Sequence, residues 1–397
     1  MPKVCFYFQL HQPYRLAEYS VFDIGDEEKS YFEDTSQLNK VIFQKVAQKS
    51  YLPMLSLLLK LTTEVTDFKL ALSCSGVFLE QAESYQPEVL DLLKKLAQTG
   101  KVEFLAETYY HSLASLYSEE EFFQQVSLHH QKIKQLFGLE PVIFRNTELI
   151  YSNQIAALVE KLGYKGMLTE AVDRCLLGNT RTQLFASATP GKIPLMLKHA
   201  QLSDDVAFRF SDRSWKMYPL HADTYIDWLK DYADSEVVNL FMDFETFGEH
   251  QWSDTGIFPF FEAVVKDLAE SGTSQFVTPS IEALSVDVEN LPIYDVPEPI
   301  SWADIGRDLS AWRDNSLQWD SLRLIYDLEK KIRATQDLKL LEDWRRLQTS
   351  DHFYYMCIKW SADGDVHAYF SPYDDPHDAY NRFTTVLADL QGRLKLQ

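Results

Sequence analysis

The 397-residue chain has four cysteines, Cys5, Cys74, Cys175 and Cys357, and no two of them form a CxxC pair. That scatter excludes a disulfide framework and a thiolate zinc site. Basic residues are in deficit: 38 Lys and Arg stand against 59 Asp and Glu, a formal charge of −21. Nucleic acids and anionic membranes reward a basic surface, so neither is expected as a partner. The apolar run 4–8 is broken by Gln9 and has no small-residue cleavage site after it, so it is not read as a secretory signal. No apolar stretch approaches the roughly 20 residues that span a bilayer. Internal repeats and low-complexity tracts are missing as well. A soluble, cytoplasmic protein is the expectation.

What the chain does have is core material. It is 46% hydrophobic and 14% aromatic, with 8 Trp, 21 Tyr and 25 Phe, which excludes a disordered chain. Strand-like runs fall at 3–9, 68–73, 101–105, 142–145, 166–169, 206–210, 237–242 and 275–278. Helical patterns lie between several of them. Residues 87–98 begin with Pro, put Val89, Leu92, Leu93 and Leu96 on one face, and stop at Gly100. Ser118 with Glu121 reads as a capping box, Asn153 as the cap of a helix over 155–162, and 256–270 as a further apolar-faced helix. Alternating strands and helices predict a parallel sheet covered by helices. Eight such runs in about 280 residues suit an α/β barrel better than an open sheet. Near 292–299 the chain becomes Pro-rich, and from Trp302 onward it reads helical. The expected organisation is a barrel over residues 1–291 and a mainly helical region over 292–397, packed on the barrel.

Chemistry gathers where strands end, the face on which parallel barrels carry their active sites. The first strand is followed by His11-Gln12-Pro13, and the third carries Glu103, Glu107 and His111. The fourth delivers Arg145-Asn146-Thr147-Glu148, and the run 237–242 leads into Asp243, Glu245, Glu249 and Trp252. Taken singly, His11 reads as a hydrogen-bonded structural residue, Glu148 as a first-turn carboxylate and Asp243 as a helix cap. Four strand ends behaving alike point instead to one site. Two carboxylates from different strands suit glycoside cleavage, in which one stays ionised as nucleophile and the other protonated as general acid. Arg145 would help to keep Glu148 ionised, and the apolar run before Asp243 would raise its pKa. Spacing alone leaves Glu107, Glu245 and Glu249 as competitors.

Five segments carry a resemblance: FYFQLHQPYR (6–15), KVEFLAETYYHSL (101–113), FRNTELIYSN (144–153), MDFETFGEHQW (242–252) and ISWADIGRDLSAWRDNSLQ (300–318). In type and order they resemble the conserved regions of glycoside hydrolase family 57, in its α-amylase-type branch. TSDHFYYMCIKW (349–360) resembles that branch too. The resemblance implies an incomplete (β/α)7 barrel followed by a helical region, an α-glucan or maltooligosaccharide substrate, and neither cofactor nor metal. It puts the nucleophile on Glu148 and the general acid/base on Asp243. It puts substrate binding on His11, Glu103, His111, Trp302, Asp308 and Trp312. One departure is Gln9, where some relatives carry a second His.

Rival readings share parts of this set. A 4-α-glucanotransferase would use the same two carboxylates with a sugar hydroxyl in place of water. A polysaccharide deacetylase-like enzyme would place a divalent metal on His11, His111 and Asp243, although its HxxxH ligand pair is missing. A catalytically silent glycan-binding protein would not need both carboxylates.

Overall fold

Strand β1 (Lys3–Leu10) sits at the centre of the architecture and shows why the chain folds as it does. Its side chains alternate with period two. Cys5 and Tyr7 join an interior cluster with Ala71, Leu105, Leu168, Met196 and Phe241, while Val4, Phe6, Phe8 and Leu10 face the opposite way, into a helix-packed core. This computed structural model describes residues 3–33, 35–272, 275–303, 305–359 and 371–396.

The further strands are β2 (Leu70–Cys74), β3 (Val102–Phe104), β4 (Phe144–Arg145), β5 (Met167–Thr169), β6 (Phe185–Ser187), β7 (Pro194–Leu197), β8 (Val238–Asp243), β9 (Gln275–Phe276) and β10 (Ile293–Tyr294). One ladder runs β3-β2-β1-β8, all parallel, and a second runs β4-β5-β7, also parallel. A parallel bridge between Ala106 and Phe144 joins β3 to β4. On the other flank, the His199 N–H just after β7 donates to the Asn239 carbonyl of β8 at 2.8 Å, and Asn239 Nδ2 returns a bond to Leu197 at 3.0 Å. Seven parallel strands thus follow one another around a filled interior, with contacts instead of a ladder at the last seam. This is an incomplete (β/α)7 barrel. β9 pairs with the start of β1, β6 lies antiparallel to β7, and β10 pairs with β6.

Several sequence expectations need correction here. The run 206–210 is no strand. Ala200–Ala207 is helical, with Leu202 and Val206 four residues apart on its buried side, and Phe210 in the turn beyond it packs into the same core. The helix Asn153–Lys161 is capped by Ser152, which accepts from Ile155 N, and Asn153 is its first residue. β6, β7 and β10 were not read from the sequence, and β10 occupies the Pro-rich connector. Pro87–Gln98 and Ile257–Glu270 are helices close to the expected bounds, and Ser118 caps Glu119–Phe137 through Glu121 N. After the connector come the helices Ser316–Asp327, Leu338–Arg346 and Pro376–Leu396. A single apolar cluster links Trp344, Phe353 and Phe383 from this segment with Tyr14, Ile150 and Ile155 of the barrel's loops and helices. Trp360, part of the last quoted segment, lies outside the described residues.

Candidate active site

The C-terminal ends of the strands open into a cavity of about 490 Å³. Gln9 and His11 reach it from β1, His111 from the loop after β3, Glu148 from the turn after β4, Lys198 from β7, and Asp243 and Glu245 from β8. Two backbone bridges bring the C-terminal segment to it. Ile300 and Tyr151 exchange bonds of 2.9 Å, which carries Trp302 across the mouth, and the Ser112–Thr349 bridge delivers Asp351.

Glu148 is held on both oxygens. His111 Nε2 lies 2.9 Å from Oε1, and Trp302 Nε1 donates to Oε2 at 2.9 Å. Glu148 and His111 have φ of 55° and 50°, a left-handed conformation that is strained for these side chains and typical of functional sites. Behind His111, its Nδ1 lies 3.2 Å from Glu107 Oε2, and Gln9 Nε2 donates to both Glu107 oxygens at 3.1 and 3.3 Å. Burial works against charge on all of these groups, yet their mutual bonds prevail. The Glu107 carboxyl is drawn down to about 2 by the bond and charge of His111. His111 is raised to about 9 by Glu107 and Glu148. For Glu148, burial is outweighed by the His111 bond and charge, the Arg145 charge and the Trp302 bond, so its carboxyl lies below the usual range.

Asp243 ends β8 opposite Gln9 in the ladder. Burial first and the nearby Glu148 charge second push its carboxyl up to about 6, against the pull of Arg145, Lys198 and His111. Glu245, which accepts a hydrogen bond from the Tyr51 hydroxyl, is pushed up to about 8 by burial and by Asp243. Arg145 is fully buried, and its guanidinium makes no hydrogen bond with the described residues, so it acts on the carboxylates through its charge. One carboxyl of the site thus favours the anion and another favours the proton, the division of labour that acid-assisted displacement at a sugar carbon requires.

Of the residues expected from sequence, His11, His111, Glu148, Asp243, Trp302 and Trp312 all line the cavity. Glu103 and Asp308 do not. Glu103 accepts bonds from Ser280 N and Oγ at 3.0 and 2.9 Å and lies near Cys5, at the floor of the barrel. Glu107, four residues further on and about 13 Å along an extended chain, meets His111 instead. Asp308 accepts from Ser310 N at 2.8 Å, next to the start of the short helix Ser310–Arg313. Sequence reasoning missed Lys198, Asp204, Arg307 and Asp351. Lys198 follows a strand that had not been read, and Asp204 sits on the helix of which the last part was taken for a strand. Asp351, 3.1 Å from His11 Nε2, lies in a quoted segment without an assigned role. His11 and His111 stack with ring centroids 3.9 Å apart, and their four ring nitrogens meet Ser75, Asp351, Glu107 and Glu148. Among the described residues, no group of three or more His, Cys, Asp or Glu is placed to hold a metal ion.

Residues 5–296 match the model of glycosyl hydrolase family 57. The chain belongs to this family. A Methanocaldococcus jannaschii protein that carries the provisional name alpha-amylase is 40% identical over 99% of this chain and 85% of its own length. Among solved structures, a family 57 branching enzyme from Thermococcus kodakaraensis superposes with a TM-score of 0.69 at 14% identity, over 99% of this chain and 90% of that one. A 4-alpha-glucanotransferase from Thermococcus litoralis gives 0.59 at 16% identity, over 96% of this chain and 55% of that one. These structural likenesses support the barrel fold of the chain, and its family makes it an enzyme of the glycoside hydrolase kind.

Proposed function

We propose that this family 57 enzyme is a retaining hydrolase of α-1,4-glucans, with Glu148 as nucleophile and Asp243 as general acid/base. The observation that carries the reading is the opposed acidity of two carboxyls lining one cavity, Glu148 held below its ordinary range and Asp243 raised to about 6. Glu148 attacks the anomeric carbon while the Asp243 proton passes to the departing glycosidic oxygen. Asp243, now a base, takes a proton from the incoming water, whose oxygen releases the sugar from Glu148. His11, His111 and Trp312 offer ring faces around the bound sugar, while the ring nitrogens of both histidines and the Trp302 indole N–H are engaged with protein groups. Glu103 and Asp308 have no place in this reading, since their carboxylates are engaged away from the cavity.

Incubation with maltooligosaccharides of one length, with products resolved by size over time, tests the proposal. Shorter products alone are expected, and Glu148→Gln should abolish them while glucan still binds. Unchanged turnover by that variant would remove Glu148 from the mechanism. A transferase reading shares both carboxylates. It is favoured by Phe208 and Ile305, which line the mouth and are 58% and 77% exposed, apolar surface on which an acceptor sugar could rest. A product ladder extending above the starting length would support it.

A further inference from the structure

The segment that crosses the cavity mouth is fastened with more ionic contacts than a connector needs. Trp302 meets Glu148 twice: its backbone N–H donates to the Glu148 carbonyl at 3.2 Å and its indole N–H to Oε2 at 2.9 Å. Arg307, five residues on, donates to the Trp302 carbonyl through Nη1. The same guanidinium pairs with Glu170 after β5 at 3.4 Å and with Asp204 at 3.1 Å. Asp204 also binds Lys198 at 2.8 Å, and the Lys198 ammonium stands 5.1 Å from the Trp302 ring centroid. Arg145 lies 5.0 Å from the same centroid. Arg307 has a φ of 48°, a left-handed conformation that a non-glycine residue keeps only when its surroundings demand it.

We propose that Trp302 is a positioning residue whose indole N–H orients the Glu148 carboxylate for attack, and that Arg307, anchored on Glu170 and Asp204, holds Trp302 in that pose. This rests on Glu148 being the nucleophile, and it differs from the sugar-binding role that family resemblance implies for Trp302. An indole N–H can only donate, so its bond to Oε2 favours the ionised carboxylate. With His111 on Oε1 and Trp302 on Oε2, both oxygens of the carboxylate are tethered where Glu148 lines the cavity. Cations over the ring face are attracted to its electron density and polarise the N–H towards a stronger donor.

The test compares the full-length protein with Trp302→Phe, which keeps an aromatic face and removes the N–H. Arg307→Lys and Arg307→Met are measured beside it. Trp302→Phe is expected to lower kcat on maltooligosaccharides roughly ten- to a hundredfold, the usual worth of a hydrogen bond to a charged group, with KM within about twofold. Its acid limb of kcat should move to higher pH, because a donor to the anion is gone while His111, Arg145 and Asp243 around Glu148, Glu107 behind His111 and Lys198 stay in place. Arg307→Lys should keep most of the activity, and Arg307→Met should resemble Trp302→Phe. A raised KM with unchanged kcat and acid limb would overturn the proposal and make Trp302 a sugar platform. An independent readout uses ¹⁵N-labelled tryptophan. The Trp302 indole N–H signal should shift between the parent and Glu148→Gln and should titrate with Glu148. A signal indifferent to both would refute the tether. A signal that shifts in a protein without glucan turnover would fault only the assigned activity.

Discussion

Glu148 and Asp243 start from similar intrinsic acidities and are driven apart by what surrounds them. Burial favours the neutral acid at both. At Glu148 the protonated His111 and the indole donor overcome it, and at Asp243 the neighbouring Glu148 charge adds to it. The pH profile follows from these signs. Activity needs Glu148 ionised, so it falls as pH drops into the range below the ordinary Glu value, and it needs Asp243 protonated, so it falls as pH rises through about 6. A bell in kcat/KM with its alkaline limb near that value is expected, and a flat profile from pH about 5 to 8 would contradict the assignment. His111→Gln supplies a sharper check, since the His111 charge lowers both carboxyls. Its removal should shift both limbs to higher pH and reduce kcat/KM about ten- to a hundredfold. Opposite shifts of the two limbs would mean that His111 is not a shared cation.

Elements determine which of these residues meet. The turn after β8 must bend sharply to return the chain to the helix Ile257–Glu270, and Gly248 makes that bend with a φ of 107°. A Cβ there would run into the Lys49 carbonyl of the π-helical segment Ala47–Tyr51, which also binds the turn through Ser50 Oγ on the Phe244 carbonyl at 3.3 Å and through Tyr51 on Glu245. Gly248→Ala therefore combines backbone strain with a clash. It should destabilise the protein by at least about 2 kcal/mol in urea unfolding, and an unchanged midpoint would show that the contact yields freely. The same scale explains what the sequence could reveal. Longer strands such as β1 and β8 carry enough apolar residues to be read, and His11 and Asp243 at their ends line the cavity. β6 and β7 flank Thr189-Pro190-Gly191, and β7 opens on Pro194, a turn-like composition that hides both strands, and with them Lys198 went unseen. Glu103 shows a different limit. Strand alternation states which face a residue takes but not its height in the barrel, so a carboxylate at the floor and one behind His111 look alike in sequence.

At the scale of the whole molecule, the −21 charge says little about the site, whose anions are matched by the buried cations Arg145, Lys198 and protonated His111. The position of the C-terminal segment says more. It delivers Trp302 to Glu148 and Asp351 to His11, and the apolar cluster containing Trp344, Phe353 and Phe383 merges with that of the barrel's own loops and helices. The barrel strands alone therefore make neither a complete site nor a sealed core. A chain ending at residue 296 would retain the ten described strands, Glu148 and Asp243, yet lose the indole donor, the Asp351 partner of His11 and one side of that cluster. Each buried large side chain that becomes exposed forfeits about 1.5–3 kcal/mol, and several do so at once. The fragment is expected to bind hydrophobic dyes and self-associate in gel filtration, with turnover at least about a hundredfold below that of the full chain. Supplying residues 297–397 as a separate chain should recover part of both properties if docking is what the barrel lacks. A monomeric fragment with full activity would show instead that Trp302 and Asp351 are dispensable and that the shared cluster is not needed to hold the site together.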